Sequence, residues 1–122
     1  MAESQVLTVI RMWAAVAWAD GVLAEAEAEA LRRLIRSGEL GDEERGEASR
    51  LLEENVALPE HYLTEMSPES RRGVYRAACR MAVVDHVFTK TERAMLDRLS
   101  QLLAVPADIA REIEFDVPGL PR

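Results

Sequence analysis

The stretch "ADGVLAEAE", residues 19–27, has the order of the second half of a calcium-binding loop: Asp20-Gly21, then a hydrophobic residue, then Glu27. In an EF-hand the glycine, the hydrophobic residue and the bidentate glutamate take the sixth, eighth and twelfth positions, and Gly21, Leu23 and Glu27 fit that spacing. The first and third positions would then be Val16 and Trp18, which have no side-chain oxygen for a cation. The stretch is therefore not an EF-hand, and another reason is needed for an Asp and a Glu seven residues apart.

Other chemistry is thin. Cys79 is the single cysteine, which excludes an internal disulfide framework and a multi-thiolate zinc site and suits a reducing cytoplasm. It lies in the apolar run "AACRMAVV", where a buried, inert thiol is expected. His61 and His86 are the only imidazoles, and neither has metal-ligand spacing with a cysteine or with the other, which puts zinc behind calcium or magnesium. Arg72, Arg76 and Arg80 recur every four residues and form a basic stripe, read as a solvated face paired with nearby glutamates. No Gly-rich phosphate loop and no nucleophile with a base at a recognisable spacing is present, so no enzyme is expected.

The chain that must position these residues has 122 of them, one domain by length, with 48% hydrophobic and 30% charged residues. Abundant Ala, Leu, Glu and Arg with only six Gly favour helix over sheet, and an all-α domain is expected. The net charge of −7 opposes attraction to nucleic acid and to anionic membrane surfaces, leaving cations or proteins as partners. Residues 6–19 are apolar and end in Ala17-Trp18-Ala19, like a signal peptidase site, but the preceding "MAESQ" lacks the basic start of a signal. A cytoplasmic protein with no membrane insertion is expected.

Apolar periodicity places a first helix at residues 4–19, apolar on most sides and hence central, with Val6, Ile10, Trp13, Ala14 and Ala17 in one stripe. Its tryptophans, Trp13 and Trp18, read as core or subunit contacts, which leaves a homodimer open. Asp20-Gly21 ends it, and a second helix spans 24–36 with Ala28, Leu31, Leu34 and Ile35 inward. A polar third helix follows over 42–54, with Ala48, Leu51 and Leu52 inward, then a loop with one helical turn through Pro59 and Tyr62. Ser67-Pro68 opens a fourth helix to Val84, with Val74, Ala77, Ala78, Met81 and Ala82 inward. A fifth spans 90–103 and a sixth begins at Pro106, with Ile109 and Ile113 inward. The tail 115–122, with two prolines and a glycine, is expected to pack loosely.

Shifted by 65 positions, "AWADGVLAEAEAEALRRL" lies over "AVVDHVFTKTERAMLDRL": Asp20 meets Asp85, Val22 meets Val87, Glu27 meets Glu92, Leu31 meets Leu96 and Leu34 meets Leu99. The copies cover roughly residues 10–36 and 75–101. Each is a helical hairpin, and two hairpins burying their stripes against each other make a compact pseudo-twofold bundle of about six or seven helices.

An apolar helix ending in A-x-A-D-G, a hydrophobic residue two later, a Glu seven after the Asp, and a second, weaker copy together resemble the TerB-like family of tellurite-resistance-associated domains. The resemblance covers residues 10–105. It implies a compact all-α, non-enzymatic domain of a bacterial tellurite or stress-resistance system, with other proteins of that system as partners. It also implies a divalent-metal site which, carried over by position, comprises Asp20, Glu27, Asp85 and Glu92. The chain departs from the pattern at His86, which stands where the second glycine is expected and puts the second turn's geometry in question.

Two explanations compete for these acids. Thr89-Lys90-Thr91-Glu92 is a capping box, and all four acids lie near helix N-termini, where free amides and the helix dipole favour negative charge. Ala24 offers no hydroxyl at the equivalent position, so capping explains Glu27 less completely. Alternatively, four carboxylates brought together by the pseudo-twofold, with loop carbonyls and water, would hold Ca²⁺ or Mg²⁺. The functional expectation is accordingly a TerB-like domain with a divalent-cation site, and its alternative is a protein interaction or scaffold module in which the acids only cap helices.

Overall fold

The computed structural model describes residues 5–19, 21–38, 40–54, 63–84 and 88–120. Those residues form six α-helices and no strand: α1 Gln5–Ala17, α2 Glu25–Ser37, α3 Asp42–Arg50, α4 Pro68–Val83, α5 Lys90–Leu102 and α6 Ala107–Phe115.

The all-round apolarity of α1 has the expected consequence. Leu7, Val9, Ile10, Met12, Trp13, Ala14, Val16 and Ala17 are all buried, and α1 packs against α2, α3, α4 and α5. After α1 the Gly21 amide bonds the Trp18 carbonyl at 2.8 Å, and Gly21 sits at φ +85°, a conformation that a side chain would strain. The Trp18 indole donates to the Leu51 carbonyl at 2.7 Å, tying the end of α1 to the turn after α3. Trp13 is fully buried in the core and Trp18 half-buried.

Three local expectations shift. Helix α3 stops at Arg50 rather than continuing to Glu54; Leu51 to Glu54 continue as turns, with Leu51 buried and Leu52 half-buried. The inner face of α4 is Val74, Tyr75, Ala78, Cys79 and Ala82, while Ala77 and Met81 are only half-buried. The face is turned toward Tyr75 because its hydroxyl finds a buried acceptor on α6, Glu114. The tail is the third case. Val117 and Leu120 join the core cluster, so the expectation of loose packing does not hold for residues 115–120. Gly119, at φ +87°, reverses the chain beside Val83 and brings Leu120 back to the core.

Helix α5 ends without a glycine. Ala104 takes φ +55°, the Val105 amide bonds the Ser100 carbonyl and the Ala104 amide the Gln101 carbonyl, both at 3.0 Å, which is the Schellman arrangement. A left-handed alanine costs roughly 1 kcal/mol. The buried side chains of Leu103 and Val105 on either side hold it there.

Candidate functional site

Glu92 stands at the third position of α5. Its Oε1 accepts the Thr89 amide at 3.0 Å and the Thr89 hydroxyl at 3.1 Å, while the Thr89 Oγ1 accepts the Glu92 amide at 3.1 Å. The capping box read from the sequence is complete. The same Oε1 also accepts from Arg33 Nη2 of α2 at 2.9 Å, and Glu92 is only 2% exposed. A carboxylate this deep requires a paired charge, and Arg33 supplies it.

Glu27 holds the corresponding place in α2. Its Oε1 accepts the Ala24 amide at 3.3 Å, one half of a capping box whose other half the alanine cannot make. Its Oε2 accepts from Arg98 Nη2 of α5 at 2.5 Å. Arg98 Nη1 donates in addition to the Val16 carbonyl at 3.0 Å, so one guanidinium joins the last turn of α1, the start of α2 and α5. A cation at the C-terminal carbonyls of α1 and an anion at the N-terminus of α2 both complement the helix dipoles.

The offset of 65 residues carries Glu27 onto Glu92 and Arg33 onto Arg98. Each glutamate is thus paired with the arginine of the other stretch, Arg98 with Glu27 and Arg33 with Glu92. The two pairs differ in completeness: Arg33 Nε is buried without a hydrogen-bond partner, as is Trp13 Nε1. These arginines lie in "LRRL" and "LDRL", where Arg33 falls outside the inward stripe of α2 and nothing nearby in sequence gives Arg98 a role. The repeat alignment itself held the available signal, since both glutamates and both arginines are retained in it.

Of the four predicted ligands, Asp20 and Asp85 lie outside the described residues, as do His86 and His61. Glu27 and Glu92 each bond an arginine, Arg98 and Arg33 respectively. Among the described residues no group of three or more His, Cys, Asp or Glu is arranged to hold a metal ion. A carboxylate bonded to a guanidinium has its charge already matched, which weakens it as a ligand for a metal ion.

A second buried carboxylate was not foreseen. Glu114 of α6, 5% exposed, accepts the Tyr75 hydroxyl at 2.6 Å and both Nη1 and Nη2 of Arg93 at 3.0 Å; Arg93 also reaches Asp97 at 2.6 Å. Burial alone would push the Glu114 carboxyl up, but the bonds from Arg93 and Tyr75 outweigh it and hold it below its ordinary value. Burial and the bond to Glu114 push the Tyr75 phenol upward. Cys79 beside it is pushed up to about 12, chiefly by burial, so the thiol is the inert core residue expected. The signal for Glu114 was its four-residue spacing from Ala110, which puts it on the inward face of α6.

The basic stripe behaves differently from expectation. Arg72 and Arg80 are exposed and Arg76 half-buried, and among the described residues none of the three has a hydrogen bond or ion pair. By contrast Arg11, Arg32, Arg33, Arg36, Arg93 and Arg98 all pair with carboxylates. Within the described residues no helix is long and apolar enough to cross a membrane. Comparison with protein-family models, with curated proteins and with solved structures finds no match to this chain.

Proposed function

We propose that this chain is a non-enzymatic, TerB-like helical domain that serves a bacterial stress-resistance system as a protein interaction module, with Glu27 and Glu92 tying the fold together rather than holding a cation. The observation that supports the structural role of the glutamates is their exchange of partners across the fold: Arg98 on Glu27 and Arg33 on Glu92. It also supports a pseudo-twofold relation between the α1–α2 and α4–α5 hairpins, since pairs that swap under a fixed sequence offset are what such an axis would generate. The assignment to TerB-like proteins, and with it the link to tellurite, rests on the resemblance of the doubled motif. A chain of net charge −7 would itself repel tellurium oxyanions.

The competing reading is a divalent-cation site at Asp20, Glu27, Asp85 and Glu92. Such an ion needs six or more oxygens, from water where the protein supplies few, and here it would compete with a guanidinium at each glutamate. Calorimetric titration of the native protein with Ca²⁺, Mg²⁺, Mn²⁺ and Zn²⁺ separates the two. No binding tighter than about millimolar is expected. Tight binding that disappears in the Asp20→Asn, Glu27→Gln double variant would restore the cation site and remove the purely structural role.

A further inference from the structure

Arg72, Arg76 and Arg80 of α4, like Arg45, Arg50 and Arg111 elsewhere, meet no carboxylate among the described residues, but only these three form a row along one helix. Arg72, Arg76 and Arg80 follow one another by slightly more than one helical turn, a row roughly 12 Å long from first to last. No carboxylate meets any of them among the described residues, although 22 acidic residues outnumber 15 basic ones. Three guanidiniums side by side repel one another, which a nearby glutamate would relieve. Glu69, three residues before Arg72 on the same helix, makes no such bond.

Both ends of the row are apolar. At the N-terminal end Arg72 stands on a surface hollow of about 360 Å³ that Pro68, Ala104, Val105 and Pro106 line. Arg71, also in its wall, donates to the carbonyls of Leu63, Met66 and Leu103 and joins the start of α4 to the end of α5. At the C-terminal end Val84 is 53% exposed. An apolar hollow rimmed by an unpaired arginine, continued by two more, has the composition of a binding hot spot rather than of a plain solvated face.

We infer that the α4 arginine row, with the hollow at its N-terminal end, is the docking surface for an acidic amphipathic helix of a partner protein. That helix would offer carboxylates at four-residue intervals to Arg72, Arg76 and Arg80 and seat one aliphatic side chain between Pro68 and Pro106. Charge complementarity selects this occupant. The overall charge of −7 repels a long polyanion or an anionic membrane, whose field extends beyond a row of three arginines, while a short acidic helix meets mainly the local positive patch. The inference deepens the interaction-module reading and rests on it.

The test uses the full chain and a fluorescein-labelled helical peptide with three glutamates spaced four apart and a leucine one turn beyond. At low salt the native protein should bind it, and Arg72→Glu, Arg76→Glu, Arg80→Glu together should weaken binding about tenfold or more. The glutamine version of the peptide should lose a similar factor, and the Arg45→Glu, Arg50→Glu control on α3 should change little. Because the substituted arginines make no hydrogen bond or ion pair among the described residues, circular dichroism and the melting temperature of the triple variant should match the native protein. Equal binding by the triple variant, or no binding up to millimolar peptide, overturns the inference. So does tighter binding of duplex DNA or phosphatidylserine vesicles through the same arginines, or self-association that the triple substitution abolishes. Failure here without cation binding at the glutamates removes the surface and leaves the module reading standing; a cation site removes the module reading itself.

Discussion

At the level of single residues, Glu27 and Glu92 occupy equivalent places and differ in depth. Glu92 is 2% exposed and its arginine's side chain only 16%, whereas the side chain of Arg98 opposite Glu27 is 41% exposed. Removing one partner of a buried pair strands the other charge, so Glu92→Ala should cost about 3 kcal/mol. Glu27→Ala loses a solvent-screened pair and a weak cap, about 1 kcal/mol. Urea unfolding of the two variants measures the difference, and equal losses would mean that depth does not govern these pairs. The cap amides were legible because they are three residues away in sequence. The arginines, 71 and 59 residues away, were not.

At the level of elements, start and stop signals translated well. Ser67 accepts the Ser70 amide at 3.1 Å with Pro68 in the first turn, and Thr89 and Glu92 close their box. Proline and glycine in "FDVPGLPR" announced a chain that leaves the helix, but they could not say where it goes next. Only the approach of Gly119 to Val83 shows that the tail covers the end of α4. Leu120→Ala should therefore cost about 2 kcal/mol in denaturant unfolding, as for a packed aliphatic, and a loss near zero would return the tail to the surface. The rotation of the α4 stripe has a similar origin. Periodicity favours Ala77 and Met81 over Tyr75, and cannot anticipate the hydroxyl acceptor that draws Tyr75 inward.

At the level of the whole molecule, Glu114 joins α4, α5 and α6 through Tyr75 and Arg93, a connection that makes stability depend on pH. The unfolded carboxyl titrates near its ordinary value of 4.5 and the folded one below it. The folded state thus holds this proton less tightly. Its contribution to stability is complete above pH 4.5 and is lost as the pH falls through the folded value. Glu114→Gln should be less stable than the native protein near neutrality, and the gap should close as the pH is lowered below about 4.5. Denaturation midpoints across that range test it; a gap that persists unchanged in acid would assign the Glu114 effect to packing instead of charge.

Helix positions, the central burial of α1 and the caps of α4 and α5 were determined by the sequence itself, because each depends on residues within a turn or two of one another. So was the correspondence of Glu27 with Glu92, which needs only two stretches of chain to be compared. What those glutamates bond across the fold was decided by tertiary structure alone. A carboxylate at a helix start is equally suited to an amide, a metal ion or a guanidinium, and the choice depends on which charge the packing of another helix brings within 3 Å. Here α2 and α5 pack together, and the arginine each carries meets the other's glutamate.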